Sequence, residues 1–203
     1  PELYLKVRDG VVESSPIKGT RPRGALTELD RALAEGLVAS KKDRAELAMI
    51  VDVVRNDLGR IADVGSVDVP ELFTVERYPG VWQMTSLVTA RSMAPLERLV
   101  AALHPSASIT GAPKVAAMRV IEELEPQRRS IYCGCIGYVG FDGDMDLNIA
   151  IRTLVQRGDY AYTWAGGGVV ADSNVEAEYQ ESFDKAAAML AVLETQPATT
   201  AAV

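Results

Sequence analysis

Two turn signals, Arg8-Asp9-Gly10 and Asp142-Gly143-Asp144, constrain this chain more than any other feature. Each sits among runs that alternate apolar and polar residues, a pattern that reads as a β-hairpin. The flanking runs are 3–14 for the first turn, and 131–139 with 147–156 for the second. Further strand-like stretches lie at 67–78, 81–90 and 160–164, with Pro70 weakening the start of the first. Helical stretches at 26–38, 42–58, 96–103, 113–125 and 173–193 separate them. In the second of these, Leu47, Ile50, Val51, Val54 and Leu58 form an apolar stripe at helical period. Pro113 suits the first position of its helix, and Ser173 with Glu176 three residues on predicts a capping box. The dense segment 16–24 reads as a shaped loop. Hairpins interleaved with helices define an α+β class rather than a regular βαβ alternation.

Composition narrows the function classes. The chain has 203 residues, 48% hydrophobic and 24% charged, which suits one globular domain and excludes disorder. With 21 Lys and Arg against 28 Asp and Glu, and no basic block, it is built for neither nucleic acid nor an anionic membrane surface. The longest apolar stretch, 186–193, is less than half of the roughly 18 residues a membrane helix needs. Neither a Rossmann fingerprint nor a P-loop is present. Cys133 and Cys135, with His104 as the one histidine, are too few ligands for a structural zinc. On a strand the two thiols share a face and cannot bridge, so they read as small buried groups in a reducing cytoplasm. His104, beside Pro105 and with no acid partner in sequence, reads as structural or exposed. A first residue of proline where an initiator methionine would stand suggests a piece of something longer, and 195–203 reads as a disordered tail.

Several residues suit chemistry as well as structure. Glu178, Glu181 and Lys185 share a face of the last helix, and Asp43 and Glu46 share a face of an earlier one. Acidic helix faces are ordinarily solvated, yet two such pairs can also converge on one hard cation such as Mg²⁺. Lys18 lies beside Arg21 and Arg23, either as part of a solvated basic loop or as a nucleophile with its pKa depressed by those cations. An ordinary lysine, at about 10.4, is neutral in roughly one molecule in a thousand near pH 7.4. Thr110-Gly111-Ala112-Pro113 and Ala165-Gly166-Gly167-Gly168 both present open backbone N–H groups suited to a carboxylate or phosphate.

Together these segments resemble the chorismate-utilising enzymes. The matching pieces are Pro-Ile-Lys-Gly-Thr-Arg-Pro-Arg-Gly at 16–24, Asp-Arg-Ala-Glu at 43–46 and Val-Arg-Asn-Asp-Leu-Gly-Arg at 54–60. Ile-Thr-Gly-Ala-Pro-Lys at 109–114, Gly-Asp-Met-Asp at 143–146 and Ile-Arg-Thr at 151–153 follow. The run Ala-Gly-Gly-Gly-Val-Val-Ala-Asp-Ser at 165–173 and the Glu-x-x-Glu helix complete the set, so the resemblance reaches to about residue 194. Lys18 is similar to the aminodeoxychorismate synthase component I branch, where anthranilate synthases typically carry Ala.

The resemblance implies a fold and a set of roles. Residues 1–194 would form the C-terminal part of a layered two-sheet antiparallel sandwich with outer helices. A lone half would leave an apolar sheet face open to a second copy, as a homodimer. Lys18 would be the covalent nucleophile and Glu2 the acid or base. Glu46 and Glu181 would hold Mg²⁺, with Glu178 and Asp43 beside them. Gly19, Thr20, Tyr132, Arg152, Gly166, Gly167, Gly168 and Lys185 would bind substrate. Gln83 departs from the family's usual His, and it cannot deliver a proton at neutral pH. The implied reaction is amination of chorismate at C4, with ammonia from a separate glutamine amidotransferase subunit. Anthranilate synthesis and an inactive chorismate-binding fragment are the alternatives.

Overall fold

The computed structural model describes residues 2–171 and 173–194. Pro1, Asp172 and the tail expected at 195–203 lie outside the described residues. The first hairpin pairs β1 (Leu3–Arg8) with β2 (Val11–Ser15). Asp9 and Gly10 between them both have positive φ, 50° and 73°, as a two-residue turn that follows the strand twist requires. The segment expected as a loop after Pro16 is instead a strand, β3 (Ile17–Pro22). Its backbone is held by pairing to a long neighbour, which composition rich in Pro, Gly and cations did not reveal.

That neighbour is β5 (Val81–Arg91), itself in a hairpin with β4 (Asp68–Arg77). β2 and β3 lie one after the other along β5, while β1 passes the sheet on to β7 (Met145–Ile149) and β6 (Cys135–Val139). All seven strands pair antiparallel. A separate hairpin joins β8 (Leu154–Arg157) to β9 (Tyr160–Thr163). The α+β reading thus holds, and the large sheet is one layer of the expected sandwich.

Two strand expectations change. The run from 131 enters the sheet only at Cys135, because Cys133 takes a positive φ of 66° in a turn. Cys133 and Cys135 therefore do not share a strand face. The run 147–156 divides into β7 and β8, because Arg152 at φ 51° takes the chain out of the sheet.

Helices α1 (Thr27–Ala39) and α2 (Lys41–Gly59) cover the sheet, and α3 (Leu96–Leu103) packs on α2 and accepts from the Tyr4 hydroxyl of β1 through the Val100 carbonyl. The stripe read in α2 is buried, with Leu47 and Leu58 at 0% exposure beside Leu37, Met84 and Val88. Truncating such a leucine to alanine costs about 2–5 kcal/mol. The short α4 (Ala107–Thr110) leads to α5 (Lys114–Leu124), with Pro113 one residue before the helix. α6 (Val175–Glu194) closes the described chain. Its cap is Asn174, whose side chain accepts from the Ala177 N–H, and not Ser173, whose hydroxyl donates to Glu178. Among the described residues no helix is long and apolar enough to cross a membrane.

Candidate active site

The bulge in β3 sets the geometry around Lys18. Pairing to β5 shifts register between Ile17 and Thr20, and Gly19 takes φ 82° there. A Cβ on Gly19 would fall 2.8 Å from Leu37 Cδ1 and 2.9 Å from Asp43 Cγ, so only glycine lets this strand lie so close to α1 and α2. Lys18, the residue before it, reaches toward the glycine run: its Nζ is 3.2 Å from where a Cβ on Gly168 would stand. Thr20 pairs across β5 with Gln83, which faces Glu76 on the other side.

The two arginines expected to act on Lys18 are each neutralised locally. Arg21 donates to Asp43 Oδ2 at 2.8 Å. Arg23 donates through Nε and Nη2 to both oxygens of Asp30, at 2.7 and 2.6 Å, and lies over the Trp82 ring. Its guanidinium holds the Asp30 carboxyl well below the usual carboxylate range, with the Gly24 N–H and Trp82 indole N–H adding to the effect. These pairs fasten the 16–24 segment to α1 and α2. The Lys18 charge reaches Glu2, whose ionised form it favours.

Glu2 is only 7% exposed. Burial pushes its carboxyl up from 4.5 to about 7, against the Ser108 hydroxyl, the Lys18 charge and the Ile17 backbone, which favour the ionised form. It is therefore poised to hold or release a proton near neutrality. His104 packs edge-on against Tyr4, and burial with the Lys114 charge lowers its pKa.

The acidic helix faces meet. Lys42 Nζ stands 3.9 Å from Glu46 Oε1 on its own helix and 3.9 Å from Glu178 Oε1 on α6. Glu178 also accepts from Ser173 at 2.6 Å, and its Oε2 would lie 2.9 Å from a Cβ on Gly167. Glu181 faces the same glycine at 3.8 Å and pairs with Lys185, which donates to the Gly166 carbonyl at 3.2 Å. Asp43 stands apart, turned to Arg21. No three His, Cys, Asp or Glu side chains among the described residues form a ready cage for a metal. The set is still of the right kind for Mg²⁺: oxygen donors from two helices already converge on one cation, the Lys42 ammonium, with open backbone alongside. Lys42 lies just outside the matched segment 43–46, so sequence reasoning passed over it.

Tyr132 and the glycine run come together, since a Cβ on Gly166 would stand 3.7 Å from the Tyr132 hydroxyl. Burial raises the Tyr132 phenol to about 12, which keeps it a hydrogen-bond donor at neutral pH. Arg152 is exposed at the bend between β7 and β8. A cavity of about 620 Å³ is lined by Tyr132 with Ile109, Met118, Arg129 and Cys133 among others. Neither Lys18 nor Glu2 lines it.

The family profile described as chorismate binding enzyme matches residues 1–191. Aminodeoxychorismate synthase component 1 of Klebsiella aerogenes is 53% identical over 197 residues, 96% of this chain and 44% of that protein. Anthranilate synthase component 1 of Aquifex aeolicus is 44% identical over 196 residues, 96% of this chain and 40% of that protein. The crystal structure of anthranilate synthase component I from Streptococcus pneumoniae TIGR4 superposes with a TM-score of 0.84 at 41% identity. That match covers 93% of this chain and 42% of the other. The chain thus spans less than half the length of these relatives.

Proposed function

The chain belongs to the chorismate binding enzyme family, and from that membership we propose that it carries the machinery for aminating chorismate to 4-amino-4-deoxychorismate. The observation that carries this reading is Lys18 Nζ beside Gly168, 3.2 Å from where a Cβ there would stand, with the Lys18 charge also felt by the buried Glu2 carboxyl. The 53% identity to an aminodeoxychorismate synthase component 1 supports the same choice.

In this proposal the Gly166–Gly168 N–H groups, the Tyr132 hydroxyl and Arg152 receive the substrate's carboxylates. Lys18, as the free amine, attacks C2; the ring double bonds shift, and the C4 hydroxyl leaves as water with a proton from Glu2. Ammonia then adds at C4 and returns its extra proton to Glu2, while the electron pair shifts back to expel the lysine from C2, so the net change is hydroxyl for amine. Gln83 has no proton to give at neutral pH, and this leaves the acid role to Glu2. Glu46, Glu178 and Glu181 would hold Mg²⁺, which when bound supplies positive charge against a substrate carboxylate. Asp43, held by Arg21, would act outside that shell. A glutamine amidotransferase subunit is the proposed source of ammonia.

The test is incubation of the chain with chorismate, ammonium and Mg²⁺, with products identified by mass spectrometry. The expected product is 4-amino-4-deoxychorismate. Anthranilate plus pyruvate would replace this reading with anthranilate synthesis, and binding without turnover would favour a chorismate-binding role.

A further inference from the structure

Tyr132 is set among flat groups that no motif marks. Its ring lies nearly parallel to the Trp164 indole, at 13° and 6.0 Å between centroids. Trp164 is backed in turn by Tyr162, stacked at 6.5 Å, and Tyr162 by Tyr160 at 6.4 Å. The Arg129 guanidinium stands 6.0 Å from the centre of the Tyr132 ring.

Arg129 is itself immobilised. Its Nε and Nη2 donate to the Glu125 carboxylate at 2.6–3.1 Å, and its Nη1 donates to the Ile109 carbonyl at 3.3 Å. The Tyr132 N–H donates to the Arg129 carbonyl at 2.9 Å, so backbone and side chain of Arg129 both constrain the tyrosine. Glu125 offsets the charge of Arg129. What Arg129 contributes is therefore a fixed planar edge rather than long-range attraction.

We propose that Trp164 and Arg129 are positioning residues that hold the Tyr132 hydroxyl beside Gly166 for capture of a small organic carboxylate. This rests on the reading of Tyr132 as a carboxylate donor. A phenol already fixed in its binding orientation loses little side-chain freedom when the anion arrives, and that saving appears as affinity. Aromatic pairing of this kind is worth about a 2- to 10-fold change in an equilibrium. Trp164 lies just before the glycine run, so one short segment supplies both the N–H donors and the plate that orients the hydroxyl.

The experiment titrates benzoate, a plain monocarboxylate, against the full chain by ligand-observed NMR. Trp164→Ala is expected to weaken benzoate about fivefold, and Trp164→Phe, which keeps a flat ring, to stay within about twofold. Arg129→Lys and Arg129→Met are both expected to weaken it about threefold, because lysine keeps the charge without the planar fork. If Trp164→Ala does not fold, Trp164→Leu keeps apolar bulk without the ring, with the same fivefold loss expected. Unchanged affinity in the Trp164 and Arg129 variants, failure of phenylalanine to rescue, or no benzoate binding by the unsubstituted chain would each overturn the proposal. Absence of chorismate turnover with this benzoate pattern intact would count against the proposed reaction and leave the positioning role standing.

Discussion

A side-chain carbon on Gly167 would stand 2.9 Å from Glu178 Oε2. The glycine run and the carboxylates of α6 are therefore fitted to each other at contact distance. The obstructing atom is the end of a flexible side chain, so Gly167→Ala should fold with a stability change under about 1 kcal/mol. It should nevertheless push Glu178 out of place. Mn²⁺ affinity, read by electron paramagnetic resonance, is expected to fall at least about tenfold, as displaced metal-site contacts typically cause. Unaltered affinity would remove Glu178 from the proposed metal shell.

Asp43 and Glu46 should separate in the same assay. Asp43 is engaged by Arg21, whereas Glu46 shares Lys42 with Glu178. Glu46→Gln should weaken Mn²⁺ by about tenfold or more, and Asp43→Asn by no more than about twofold. Equal losses in both variants would place Asp43 in the shell.

Glu2 makes stability depend on pH. Its carboxyl rises from 4.5 to about 7 on folding, so the folded chain binds the extra proton between those values. The favourable contribution is complete below 4.5 and is lost as pH rises through about 7. The loss is on the order of 3 kcal/mol, from about 1.4 kcal/mol per pKa unit. Urea unfolding at pH 5 and pH 8 should show this decline in the unsubstituted chain and a flatter profile in Glu2→Gln. The same variant should lose turnover, since an amide cannot supply the proton.

Lys18→Ala should abolish covalent trapping of chorismate, measured as an adduct in the intact mass of the chain. Rates unchanged by this substitution would take Lys18 out of the mechanism.

Asp57 is buried at the end of α2 and accepts from Lys114 at the start of α5, with Arg60 donating at 3.0 Å. Lys114 also donates to the Leu103 carbonyl at 3.1 Å, which ties α2, α3 and α5 at one point. Lys114→Met leaves the Asp57 charge with Arg60 alone and should destabilise by about 3 kcal/mol in urea unfolding. Adding Asp57→Asn should recover part of that loss, because the stranded charge is gone.

Local signals located most elements. The Asp9-Gly10 turn and the α2 stripe depend on neighbours close in sequence, and both formed as read. Signals failed where long-range pairing outweighed composition. β3 is a strand because β5 lies beside it, while the 16–24 residues alone favour a loop. The Ser173 hydroxyl could cap α6, but the Glu178 carboxylate comes within its reach and takes it. Trp164 carried no recognisable spacing, and the i,i+4 spacing of Lys42 to Glu46 did not reveal its second partner; Tyr132 and Glu178, the distant partners, lie far along the chain.

The sequence by itself determined the α+β class, the family and the identity of the candidate residues, because hydrophobic period, turn chemistry and motif order are all written locally. Only the tertiary structure decided how those residues are employed. It turned Asp43 toward Arg21, brought Glu46 and Glu178 to one lysine, and put Glu2 in a buried place that holds a proton near neutral pH. Burial and ion pairing arise between segments distant in the chain, and no local pattern encodes the field that one segment imposes on another.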